Sequence, residues 1–233
     1  MGVLIDTVLF DFDGTLVETG LDFAWMRRQV LNLANHYGAV PPKELYVLEI
    51  IAHVQHQLAS RDPEAARSFV QQAEGILTEI EIEGADRAQP VPGAQETLGK
   101  LRERGLNVGI VTRNCRRAVE RILAGLPLPH DLLLTRDDVA RVKPDPAHLL
   151  EAVERLGSRP ERALMVGDHP MDILAGREAG MHTAAIATSR PASDFAHVRP
   201  DLVIESIPEL LRALPYALKD AKRDRNRRRT HHG

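Results

Sequence analysis

The chain has 233 residues, of which 43% are apolar and 27% charged, with a formal net charge of −3. That is enough length for one large or two small domains with a real core, and an ordinary composition for a soluble globular protein. No apolar run approaches the roughly 18 residues a membrane span requires, Asp6 breaks the start before a signal-peptide core can form, and the single cysteine, Cys115, excludes an internal disulfide framework. A reducing, cytoplasmic setting is the default expectation.

In chain order, Val3–Phe10 is an almost wholly apolar run, as a central strand buried on both faces should be. Asp11 and Asp13 follow at once, with Gly14 and Thr15 behind them. Two negative charges at the end of a buried strand require a counter-charge from elsewhere in the chain. The next β-rich run starts only at Val108, after 97 intervening residues. Within that interval, three apolar sets fall at helical spacing: Phe23, Met26, Val30, Leu33 and Tyr37; Val47, Ile50, Ile51, Val54 and Leu58; Ala66, Phe69, Val70, Ala73, Leu77 and Ile80. Asp62, followed by Pro63, is placed to N-cap the third. Residues 18–90 thus read as inserted helices, and Ala94–Arg104, after Pro92-Gly93, as the crossover helix.

Beyond it, Val108–Thr112, Leu132–Leu134, Ala163–Val166, Thr183–Ala187 and Leu202–Ile204 are short β-rich runs alternating with helical patterns. Such alternation predicts an α/β fold whose parallel sheet is covered on both faces. Gly180 sits where a left-handed helix C-cap belongs, and Ser206-Ile207-Pro208-Glu209 reads as a capping box. Residues 219–233 carry a net charge of +5 and leave −8 for the remainder. A solvated, disordered terminus and a basic arm for nucleic acid or an anionic surface are both open readings of that tail.

Four polar stretches end apolar runs: Asp11-Phe12-Asp13-Gly14-Thr15, Thr112-Arg113-Asn114, Lys143-Pro144 and Gly167-Asp168-His169-Pro170-Met171-Asp172. In a parallel sheet those ends share one edge, so the stretches can converge. An EF-hand loop at Asp11–Asp22 is excluded, because glycine stands at the fourth position and no glutamate at the twelfth. Together and in this order the stretches resemble the haloacid dehalogenase-like (HAD) hydrolase superfamily in its phosphatase branch. With DGTL, KPDP and the placement of the inserted helices, they are most similar to phosphoglycolate phosphatase and its near relatives.

The resemblance implies a doubly wound, Rossmann-like parallel-sheet core at residues 1–17 and 91–214, a small helical cap at 18–90 and a basic tail at 215–233. It also implies roles. Asp11 would attack phosphorus and form an aspartyl-phosphate. Asp13 would protonate the leaving oxygen and then act as base for water. Gly14 and Thr15 would turn beneath the phosphate, and Thr112, Arg113 and Asn114 would lie along it. Lys143 would neutralise phosphate and nucleophile. Mg²⁺ would sit among Asp11, the backbone carbonyl of Asp13 and Asp168, with Asp172 holding metal-bound water or orienting Lys143. The charges agree with a metal: four carboxylates and a phosphate dianion face a single lysine. Each like-charge pair at ~4 Å costs about 1 kcal/mol in water and about 4 near a protein surface.

Asp13 argues against a dehalogenase, which attacks carbon without an acid or a metal. Lys43 is the only lysine between residues 16 and 90, which leaves a lysine-dependent phosphonatase without a good candidate. A sugar-phosphate mutase with the same nucleophile, and a catalytically silent phosphate-binding protein, remain as alternatives. Arg113 stands where these phosphatases commonly have Asn; it is either a surface arginine at a helix start or a contact for an anionic substrate group. His169 reads as a structural or rim residue, His53 and His56 as exposed polar residues, and Cys115 as packing.

Overall fold

A computed structural model describes residues 5–188 and 190–214. The chain forms two compact units, residues 1–19 with 88–233, and residues 20–87. The basic tail expected at 215–233 lies outside the described residues.

The first unit is built on a six-stranded sheet. Its strands are β1 (Thr7–Phe10), β4 (Asn107–Val111), β5 (Leu132–Leu134), β6 (Ala163–Gly167), β7 (His182–Ile186) and β8 (Leu202–Ile204). They are ordered β5-β4-β1-β6-β7-β8, and every pairing is parallel. Each residue of β1 is buried, as a strand covered on both faces must be. Leu9 joins a core with Val111, Leu134, Leu149, Val153 and Met165. Val8 and Phe10, one step away, point to the other face. Four helices join the strands: α4 (Ala94–Glu103), α5 (Arg116–Gly125), α6 (Ala147–Arg155) and α7 (Pro170–Glu178). A short α8 (Leu210–Ala213) ends the described chain.

Strand order reverses direction at β1, with β4 on one side and β6 on the other. A crevice at the carboxyl ends is the outcome in open sheets of this kind. The register is level there: Phe10 pairs with both Ile110 and Val166. Pairing continues one residue further, since Asp11 N–H donates to Val166 O at 2.9 Å and Thr112 N–H to Leu134 O at 2.9 Å.

Three local expectations change. Of the run Val3–Phe10, Val3 and Leu4 lie outside the described residues, and the strand runs from Thr7; Asp6, just before it, sends its carboxylate to Arg162 (2.9 Å) and Ser158 (2.5 Å). Two-residue strands β2 (Val17–Glu18) and β3 (Gln89–Pro90) form an antiparallel ribbon; at that length no periodicity announces them. The Ser206 capping box is inverted: a 3₁₀ turn over Ile207–Glu209 precedes α8, and Ser206 Oγ donates to Glu209 Oε1 at 3.0 Å. The carboxylate is the stronger acceptor, so the hydroxyl donates to it instead of capping a backbone N–H. Gly180 does take the left-handed conformation, at φ 77°.

The second unit consists of α1 (Phe23–His36), α2 (Val47–Ala59) and α3 (Pro63–Ala85). Its core comprises Met26, Val30 and Ala34 of α1, Ile50, Val54 and Leu58 of α2, and Phe69, Ala73 and Leu77 of α3. Tyr37 meets Phe69 edge to face at 5.5 Å. Asp62 N-caps α3 through Glu64 N and Ala65 N, and Asp22 does the same for α1 through Trp25 N. Phe23, counted in the apolar face of α1, is 59% exposed; Ala34 completes that face instead. His53 and His56 are both exposed on α2. Among the described residues no helix is long and apolar enough to cross a membrane.

Candidate active site

The four polar stretches meet at the carboxyl edge of β1, β4 and β6. Asp11 leaves the end of β1 and Lys143 arrives from the turn between β5 and α6. Lys143 is completely buried, and its Nζ donates to Asp11 Oδ1 at 2.7 Å and lies 2.8 Å from Asp172 Oδ1. This is the counter-charge that Asp11, at the end of the first strand, demanded. Burial works against the ammonium's charge, but Asp11 and Asp172 outweigh it and hold the lysine pKa above its ordinary value.

One cation does not neutralise the acids around it. Burial, only partly offset by Lys143 and reinforced by the like charge of Asp172, pushes the Asp11 pKa up to about 6. Asp172 is raised as well, by burial first, with Lys143 pulling it back and Asp168 adding to the rise. Asp11, Asp168 and Asp172 each offer a carboxylate oxygen within 4.8 Å of the others. This is the single such group among the described residues. A hard divalent cation suits the donor set, since all donors are oxygens and negative charge is in excess.

Asp13, one residue beyond Phe12, has a different environment. Its carboxylate accepts from Thr112 Oγ1 at 3.2 Å and from Asn114 Nδ2 at 3.0 and 3.3 Å. Phe12 between the two aspartates is fully buried, so alternation along the chain sends both carboxylates the other way. The Asp13 carboxylate is not part of the acidic trio.

Thr15 is buried, and its hydroxyl donates to Asp168 Oδ1 at 3.1 Å while accepting from Asp168 N–H at 3.1 Å. Its place is to orient Asp168. Gly14 allows that approach: φ is +85°, and a Cβ there would stand 2.5 Å from Asp168 Oδ2. Gly14→Ala is therefore expected to displace Asp168, lowering kcat about 100-fold by misplacement alone and costing about 1–2 kcal/mol of stability for the left-handed backbone. Steady-state kinetics and a thermal melt check both.

Asp172 is held at the start of α7, where His169 N–H donates to its Oδ2 at 3.2 Å. His169 is the N-cap, its Nδ1 accepting from Met171 N–H at 3.1 Å. Burial, then Arg190, Arg113 and Lys143, lowers the His169 pKa to about 4, which keeps that nitrogen an acceptor. Arg113 donates from Nη1 to the Lys143 carbonyl at 2.6 Å. Cys115 is buried at the N-terminus of α5.

The chain is similar to known proteins. The family profile described as haloacid dehalogenase-like hydrolase matches residues 8–186. Pyrophosphatase PpaX of Bacillus mycoides (strain KBAB4) is 34% identical over 211 residues, covering 89% of this chain and 95% of that one. The chain belongs to the haloacid dehalogenase-like hydrolases, in their phosphatase branch. Among solved structures of similar fold is a HAD phosphatase from Thermococcus onnurineus, with TM-score 0.62 and 26% identity over 92% of this chain and 100% of its own. Another is a protein from Haemophilus somnus 129pt, described as a predicted phosphoglycolate phosphatase, with TM-score 0.63 and 21% identity over 90% and 97%.

Two residues of this hydrolase's site had no role assigned from the sequence. Gly167 ends β6 where a Cβ would stand 2.3 Å from Asp172 Oδ2; its signal was its place at the head of the GDxxxD stretch. His148 lies in the first turn of α6, fully buried, and its Nδ1 accepts from Lys143 N–H at 3.4 Å. Only the unusual choice of histidine on an apolar helix face could have revealed it.

Proposed function

We propose that this hydrolase is a Mg²⁺-dependent phosphatase that cleaves a small phosphorylated metabolite through an aspartyl-phosphate. The observation that carries the reading is the division of the two aspartates: Asp11 against Lys143, Asp13 against Thr112 and Asn114. In the first step an Asp11 oxygen attacks phosphorus, the bond to the leaving oxygen breaks, and Asp13 delivers a proton to that oxygen. In the second, Asp13 takes a proton from water, the oxygen of that water attacks phosphorus, and the bond to Asp11 breaks to release inorganic phosphate. Lys143, with Thr112 and Asn114 nearby, offsets charge on the phosphoryl oxygens. Gly14 and Thr15 hold Asp168 in place.

Asp11, Asp168 and the backbone carbonyl of Asp13 would hold Mg²⁺, with Asp172 behind them. Bound there, the ion offsets the charge of the acidic trio and of the phosphate. Residues 18–90 would be the cap of such an enzyme, and the core would span 1–17 and 91–214. A cytoplasmic setting accompanies this reading, supported by the one buried, unbridged cysteine.

Two leaving groups fit: the alkoxide oxygen of a monoester such as phosphoglycolate, towards which the sequence resemblance leans, and the phosphate of pyrophosphate, named for the 34%-identical relative. A panel of organic monoesters and pyrophosphate, assayed for phosphate release with Mg²⁺ and with chelator, tests the reading. Steady release that chelator abolishes is expected. Release from no substrate overturns it, and a few turnovers that stall point to a mutase. Apparent Mg²⁺ affinity is expected to rise with pH through about 6, because Asp11, held up to about 6, must lose its proton to serve as ligand.

A further inference from the structure

Three residues of this site are fixed by the sheet. Asp11, Thr112 and Asp168 each follow a strand directly, and backbone pairing continues through Asp11 and Thr112. Lys143 has no such support. It lies between β5, which ends at Leu134, and α6, which starts at Ala147, in a turn closed by Asp145 N–H on Val142 O at 3.0 Å. Its four-carbon stem is flexible, yet its ammonium meets both Asp11 and Asp172. Something besides the sheet has to fix its backbone.

Two side chains grip the peptide groups on either side of it. Arg113, just past β4, donates from Nη1 to the Lys143 carbonyl at 2.6 Å, a charge-assisted bond. The same Nη1 lies 3.5 Å from Met171 Sδ in the first turn of α7, the turn that also carries Asp172. His148 takes the Lys143 N–H on Nδ1 at 3.4 Å. That residue stands on the buried face of α6 with Leu149, Ala152 and Val153, where an apolar side chain would be the simpler choice. Its Nε2 has no partner at hydrogen-bonding geometry among the described residues, although the Leu134 carbonyl lies near enough to favour its proton. A buried polar atom so poorly matched is unfavourable for the fold. Among the described residues, the bond from the Lys143 N–H is what gives this histidine a role.

We propose that Arg113 and His148 clamp the backbone of Lys143 and so set its ammonium between Asp11 and Asp172, which makes Arg113 a positioning residue rather than a ligand of the substrate. The acceptor state of His148 agrees with this: burial, then Lys143 and Arg113, lowers its pKa to about 3, so the ring stays neutral. The inference rests on the reading of Lys143 given above.

The test is the separation of kcat from KM in Arg113→Met, His148→Leu and His148→Asn, on the best substrate of the panel, with thermal melts alongside. Arg113→Met is expected to lower kcat about 10- to 100-fold with KM within about twofold, as misplacement of a charge-stabilising group does. His148→Leu is expected to lower kcat about 5- to 10-fold, and His148→Asn, whose Oδ1 can take the same N–H, to recover most of it. On a Lys143→Ala background neither loss should add, because both act through that lysine.

A raised KM at unchanged kcat in Arg113→Met overturns the proposal, as does a loss that multiplies with Lys143→Ala. If His148→Leu does not fold, Arg113→Met decides alone. Should Lys143→Ala itself leave kcat unchanged, the reading of Lys143 fails. Should Lys143→Ala abolish turnover while Arg113→Met does nothing, only the clamp fails.

Discussion

On the proposed reading of Asp11 as nucleophile, Asp11→Asn is expected to lower kcat by at least about 10⁴-fold. The same substitution is expected to make the metal-free protein more stable at pH 7. The Asp11 pKa is about 6 in the folded protein, against an ordinary value of 3.8. Between those values the folded state keeps a proton that the unfolded state has released, so stability falls as pH rises through that window. At pH 7 the ionised Asp11 costs on the order of 3 kcal/mol, and asparagine, never charged, removes up to that much. His148 and His169 titrate in the opposite sense. Their folded values of about 3 and 4 lie below the ordinary 6.5, so their contribution is full above pH 6.5 and is lost as pH falls. They are common to both proteins and cancel in the difference. Melts of wild type and Asp11→Asn with chelator, from pH 4 to 7, should therefore diverge as pH rises. Curves that stay parallel would show that Asp11 carries no such strain, and hydrolysis within tenfold of wild type would place the nucleophile elsewhere.

The parts of this fold that chemistry constrains by residue type were legible in the chain. A strand buried on both faces has to read as Val8, Leu9, Phe10, and charges at its end need a partner, so Asp11, Asp13, Asp168 and Asp172 stood out against their apolar runs. The helical insertion was equally plain, because Met26, Val30 and Leu33, then Ile50, Val54 and Leu58, then Phe69, Ala73 and Leu77 each repeat at helical spacing. What stayed hidden depends on through-space closure. The direction of the Arg113 guanidinium is set by where the Lys143 turn passes, and that path follows no period. Thr15 looked like a phosphate contact beside Gly14, and only the fold brings its hydroxyl against Asp168, 153 positions away. His148 was silent because a buried histidine and an apolar residue occupy the same place in a helical pattern.

Removal of the lysine charge should have the largest structural effect. Lys143→Met keeps the apolar stem and deletes only the ammonium, leaving Asp11 and Asp172 buried without the cation that both contact. Breaking a buried ion group by taking one partner costs about 3–5 kcal/mol, which for a domain of this size lowers the melting temperature by roughly 6–20 °C. The loss should be greatest at pH 7 and shrink towards pH 5, where protons can replace the missing charge on carboxylates already raised by burial. Mg²⁺ should replace it too. If the acidic trio is a metal site, Mg²⁺ should raise the melting temperature of Lys143→Met by more than it raises that of wild type, because ligand binding stabilises in proportion to its affinity for the folded state. Turnover should nonetheless stay down about 10²- to 10³-fold if Lys143 acts as proposed, since the ion would not restore a donor to the phosphoryl oxygens. If Lys143→Met melts like wild type in chelator at pH 7, the ion group is not a net source of stability. If Mg²⁺ then shifts neither protein, Asp11, Asp168 and Asp172 are not its ligands.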